Sequence, residues 1–166
     1  MRRPTTQTEL GAVFDAFANG ALPVEEFDDA LWSFLCARIP GDEASFQRVP
    51  LPVQYFFASR YMEWEVGNGG FAQAAFNIPQ LFEAARLGYL ALDLPAAADL
   101  IAQAQALISN GHARFSQDVD IGELFDEFAE SALAELDGKV DDAGWWATER
   151  RSAYAVANRE AFGRVA

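Results

Sequence analysis

The chain has 166 residues, 51% hydrophobic and 13% aromatic, so it is not a disordered chain and is long enough to bury a core without staples. Its 25 acidic residues outweigh 12 lysines and arginines, giving a formal charge of −13, which argues against direct binding to nucleic acid or to an anionic membrane surface. A single cysteine, Cys36, and a single histidine, His112, exclude a disulfide framework, a multi-cysteine zinc site and any centre built on several imidazoles.

Met1-Arg2-Arg3-Pro4 is followed by no apolar run, so no signal peptide is expected. Residues 8 to 18 read as a helix closed by Asn19-Gly20. Phe27, Leu31, Leu35 and Trp32, Cys36, Ile39 recur at helical steps, so a second, amphipathic helix is expected over 23 to 39. Pro23 suits its start, Glu25 and Glu26 suit its positive end, and Pro40-Gly41 stops it. On this helix Cys36 falls on the apolar side, as an inert buried thiol. Residues 52 to 66 form a third helix, with Val53, Phe56, Phe57 and Trp64 on one side and Tyr55, Met62 and Val66 on the other. A helix apolar on two sides belongs in the interior.

A glycine-rich break follows at Gly67-Asn68-Gly69-Gly70, then Phe71 to Phe76, a turn at Asn77-Ile78-Pro79, and a helix from Gln80 to Leu92. This uncharged stretch between Glu65 and Glu83 is too broken to cross a membrane, and a cytoplasmic location is the reading. Asp93-Leu94-Pro95 opens a helix that runs to Ser109. Polar residues around His112 lead to a helix over 122 to 137, and a last helix is expected from Asp142 to Phe162. No run alternates as a strand would. The expectation is one all-α domain over 1–166, of about seven or eight helices, with the N-terminal helices of 8–45 packed on the rest.

Charge is concentrated in two blocks. Residues 4 to 43 hold eight acids against Arg38, and residues 118 to 142 hold ten against Lys139. At about 100° per residue, Glu123, Asp126, Glu127, Glu130 and Asp137 share an arc of about 100°, opposite Leu124, Phe125, Phe128, Leu133 and Leu136. Glu123 and Glu130 lie roughly 10 Å apart along the axis, comparable to the spacing of nearby phosphates. Like charges four residues apart cost such a helix a few tenths of a kcal/mol each. The stripe, continued by Asp141 and Asp142, reads in three ways. It is a solvated face, a surface for a basic partner such as a DNA-binding protein, or a divalent-cation site. The last lacks the spacing of a calcium loop.

The most distinctive string is Glu65-Val66-Gly67-Asn68-Gly69-Gly70-Phe71-Ala72-Gln73-Ala74-Ala75-Phe76-Asn77. Gly69 and Gly70 allow a sharp turn between helices, Phe71 re-enters the core, and Asn68, Gln73 and Asn77 offer amides to exposed helix ends. The alternative of a phosphate cradle lacks the lysine and hydroxyl of a P-loop and follows a helix, not a strand.

With Glu65, Val66, Asn68, Gly69, Gly70, Phe71, Gln73 and Asn77 in this spacing, the chain resembles the bacterial DNA-mimic-protein-nineteen family. The aromatic helix with Tyr55, Tyr61 and Trp64, and the closing Tyr154, Asn158 and Phe162, extend the resemblance over residues 50 to 163. Gly67 and Ala75 stand where many relatives carry larger side chains. The resemblance implies an all-α fold and, for one branch of the family, an acidic homodimer that imitates duplex DNA and occupies a transcription factor. Its signature residues are turn and core residues, so it carries fold further than function.

Elsewhere, His112 reads as a loop residue without a nucleophile beside it. Arg60 shares a wheel sector with Phe56 and Trp64, and Glu63 follows three residues on, as in a buried or half-buried ion pair. Of Trp145 and Trp146, one is expected in the core and one at the surface, where it would suit a dimer contact. The reading is a non-enzymatic acidic interaction protein without cofactor or metal, engaging a basic DNA-binding protein. One alternative is an immunity or inhibitor protein against a basic nuclease. The other is a small-molecule binding domain or enzyme using Arg60, Glu63 and Glu65.

Overall fold

Thr6 opens the first helix, α1 (Gln7–Ala18): its hydroxyl accepts from Glu9 N, and Glu9 answers by accepting from Thr6 N. The computed structural model describes residues 4–39, 43–111 and 132–165, and the regular structure among them is all helical. The fold is all-α.

Helix α1 ends at Asn19 and Gly20, which has a φ of 71°, and turns Leu10, Val13 and Phe14 inward. Pro23 stands just before α2 (Val24–Cys36), whose buried face is Phe27, Ala30, Leu31, Phe34 and Leu35. The helix stops three residues earlier than the apolar pattern suggests, because the N–H groups of both Arg38 and Ile39 turn back to Leu35 O. Cys36 is exposed, contrary to the sequence expectation. It follows Leu35 by about 100° of rotation, which carries it off the inward face. A short helix not anticipated from sequence, α3 (Glu43–Phe46), brings the Phe46 ring 6.0 Å from that of Phe57.

Helix α4 (Leu51–Asn77) runs the length of three expected segments. Its first part buries Val53, Phe56, Phe57, Ala58, Met62 and Val66, the two-sided apolar helix read from the sequence. Trp64 departs from that reading. It is 55% exposed, on a side continued by the exposed Gly67 and Asn68. A 3₁₀ turn, Pro79–Leu81, leads to α5 (Phe82–Ala91). Asp93, with a φ of 59°, makes the turn into α6 (Pro95–Gly111), which packs on α5. Helix α7 (Ala132–Asp137) lies against α6 through its buried Leu133 and Leu136.

The last expected helix begins later and is split, into α8 (Thr148–Ala157) and α9 (Arg159–Phe162). Gly144, with a φ of 70°, and Trp145 N returning to Val140 O hold residues 138–144 in turns. Asn158 donates its side-chain amide to Tyr154 O and breaks the ladder before Arg159.

The chain divides into two compact units, one of Met1–Phe57 with Ala147–Ala166 and one of Ala58–Trp146. In the first, Phe14 meets Phe27 and Phe162 edge-on at 5.2 and 5.8 Å, and Phe56 meets Phe162 at 5.4 Å. Set into these rings is a fully buried ion pair, with Arg151 Nε 2.8 Å from Asp28 Oδ1 and Nη2 3.4 Å from Oδ2. In the second unit Trp145, with no exposed surface, stacks on Tyr89 at 4.9 Å and meets Phe71 edge-on at 5.3 Å. The Tyr89 hydroxyl donates to Trp145 O. No helix among the described residues is long and apolar enough to cross a membrane.

Candidate functional site

The glycine string bends α4. Gly69 adopts φ −161°, ψ 26°, and Gly70 adopts φ 71°, ψ −174°, a conformation essentially reserved for glycine. The bend folds the helix back so that Gln73 and Asn77, one turn apart, face Glu65. Both amides donate to the same carboxylate oxygen, Oε2, each at 2.8 Å. Glu65 is buried, and these two bonds supply the partners its carboxylate needs there. Asn68 donates to Trp64 O at 2.9 Å. Phe71 is fully buried against Trp145. Seven residues singled out from sequence thus make one device: a bend, a carboxylate clamp across it, and a ring that locks it to the core.

Asp137 completes the bend from outside the string. Its Oδ1 accepts from Phe71 N at 2.8 Å, at the start of the helix that follows the glycines. Partial burial pushes its carboxyl above the usual range, and the Phe71 N–H acts in the opposite sense. A Cβ on Gly70 would stand 2.7 Å from Asp137 Cγ, so the absent side chain is where the carboxylate sits. Of the predicted stripe, therefore, Asp137 turns partly inward. Glu123, Asp126, Glu127 and Glu130 lie outside the described residues, as does His112. Asp141 and Asp142 are exposed, and Asp141 Oδ1 accepts from Trp146 Nε1 at 2.6 Å.

As expected, one of the paired tryptophans is in the core and the other at the surface: Trp146 is 56% exposed. Its ring lies over Gly67, where a Cβ would come 3.2 Å from Cη2. The small residue at position 67 therefore has a local reason.

Charge is sorted by depth. Among the described residues the inward acids are matched: Asp28 by Arg151, Glu63 by Arg60 at 3.7 Å, and Glu65 by two amides. Two further arginines are held at the surface, Arg86 by Glu83 and Arg159 by Asp15, each at 2.7 Å. Among the described residues, exposed carboxylates such as Glu25, Glu26, Asp99, Glu135, Asp141 and Asp142 outnumber the exposed cations. The Asp28–Arg151 pair was not read from sequence. Asp28 lies in line with Leu31 and Leu35, and that alignment was the available signal.

The Arg60–Glu63 pair is largely buried, within the buried or half-buried range expected of it. An open groove of about 570 Å³, lined by Pro50, Pro52, Val156, Arg159, Glu160 and Arg164 among others, includes none of Arg60, Glu63 or Glu65. Among the described residues no cluster of three or more His, Cys, Asp or Glu side chains is placed to hold a metal ion.

Residues 47–158, well over half of the chain, match the family model described as DMP19-like protein. No curated protein and no solved structure is matched. The matched segment contains the bend, the Glu65 clamp, Asp137 and both paired tryptophans.

Proposed function

We propose, for a chain that belongs to the DMP19-like protein family, that it works without catalysis, as an acidic protein that occupies a basic DNA-binding protein in place of DNA. The observation that carries this reading is the sorting of charge. Among the described residues the inward acids are neutralised or hydrogen-bonded, and carboxylates such as Glu25, Glu26, Asp99, Glu135, Asp141 and Asp142 are left at the surface of a chain of net −13. A polyanionic surface on a folded scaffold offers a basic face what duplex DNA offers it: fixed negative charge at close spacing. The acid-rich segment 118–142, with Glu123, Asp126, Glu127, Glu130, Asp141 and Asp142, is the surface assigned to that partner, in a homodimer.

Such binding is steered by unlike charge and weakens as salt rises. The test uses the purified chain as bait for basic DNA-binding proteins at low and at moderate salt, beside the Glu127→Lys, Glu130→Lys double variant. The reading expects capture that falls with salt and is lost in the variant. Equal capture by both proteins would refute it.

A further inference from the structure

Two tryptophans in the second unit are more than half exposed, Trp64 at 55% and Trp146 at 56%. Both stand near Gly67. Trp146 Cη2 lies 3.2 Å from the position of a Cβ on Gly67, and Gly67 follows Trp64 by three residues on the same helix, where side chains stand about 5–6 Å apart. The Trp146 ring is also fixed. Its Cη2 and Cζ3 lie 3.2 and 3.4 Å from the Cβ position of Gly67, and Nε1 donates to Asp141 Oδ1 at 2.6 Å. The turn that carries it holds Asp141 and Asp142, both exposed, against Lys139.

An indole that is held at both ends, more than half exposed and bordered by carboxylates has the chemistry that receives a guanidinium. A cation within about 6 Å of the ring centre is attracted by the ring's negative face. Asp141, already at the ring's edge, adds a full negative charge to that attraction. Arginine fits better than lysine, because its planar, weakly hydrated head stacks on the ring while its N–H groups reach a carboxylate. Little conformational freedom remains to be lost when the indole is already pinned. The net charge of −13 repels an acidic occupant and attracts a cationic one.

We infer that the Trp64–Trp146 face, bordered by Asp141 and Asp142, is where an arginine side chain of the basic partner docks. This rests on the function proposed above and deepens it. The acidic segment draws the partner in, and the indole selects arginine over lysine.

The test is calorimetric titration of the full chain with two synthetic basic helical peptides, identical except that every arginine of one is lysine in the other. The arginine peptide is expected to bind the wild type more tightly. Trp146→Leu is expected to weaken it by about fivefold while moving the lysine peptide less than twofold. Trp64→Leu, at a separate exposed position, provides a second variant should the first perturb the turn. Equal loss for both peptides would overturn the inference, as would unchanged binding in both variants. So would a Trp146→Leu protein whose only change is dissociation of a dimer, since the face would then belong to a second copy. The Glu127→Lys, Glu130→Lys protein separates the two claims. If it loses both peptides while the tryptophan variants lose neither, the acidic reading stands and the arginine site falls. If it loses neither, the acidic reading fails.

Discussion

Replacing Gly70 with alanine tests the bend at its tightest point. Two costs add. The backbone at φ 71°, ψ −174° is in a region closed to side chains, which costs about 1–3 kcal/mol. The new methyl would also stand 2.7 Å from Asp137 Cγ and 2.9 Å from Oδ1, so the carboxylate must leave. With it goes the 2.8 Å bond from Phe71 N, and a bond to a charged group contributes about 1.5–3 kcal/mol. Because Asp137 is only partly buried, the combined loss is set at about 3–5 kcal/mol, or about 6–20 °C in Tm for a chain of this length. Urea unfolding followed by tryptophan fluorescence and far-UV circular dichroism measures it. Asp137→Gly provides the control. In that background the methyl meets no carboxylate, and Gly70→Ala should cost only its backbone share. A cost below about 1 kcal/mol, or the same cost in both backgrounds, would refute the reasoning.

Asp28→Ala strands a buried guanidinium and should destabilise by about 3–5 kcal/mol, whereas the double variant Asp28→Leu, Arg151→Met should stay near the wild type; equal losses in the urea midpoint would contradict this. Glu9, held down to about pKa 2 chiefly by the N–H and hydroxyl of Thr5, stabilises the fold above its ordinary value of 4.5. That contribution disappears as pH falls from 4.5 towards 2, since the unfolded chain takes up the proton first. The stability difference between wild type and Glu9→Gln should therefore be constant near neutrality and shrink across that window. A pH-independent difference would be evidence against the cap.

The helical periodicity made most of the fold legible. Most of the apolar residues read on α2 and on the first part of α4 are buried, and Gly69-Gly70 marks the bend where it occurs. The errors have two causes. Trp64 and the late start of α8 depend on where the neighbouring chain packs, which wheel spacing does not carry, whereas Cys36 lies one helical step past Leu35 at the margin of the apolar arc. The Glu65 clamp was half legible. Amides four residues apart advertised hydrogen bonding, but their target lay across a bend of unknown angle. Asp137 was read as one of a row of acids because local sequence treats all carboxylates on one arc alike. Only its approach to Gly70, 67 residues earlier in the chain, distinguishes it.

The central claim is that this chain takes the place of DNA on a basic protein. The most direct measurement is fluorescence anisotropy of a labelled DNA duplex bound to the DNA-binding protein that the chain captures, titrated with the chain at constant salt. The account predicts that anisotropy falls to the value of free duplex as the chain is added, and that the Glu127→Lys, Glu130→Lys protein leaves it high. Anisotropy that stays high, or rises, at saturating chain would mean that protein and DNA bind together, and it would contradict the account.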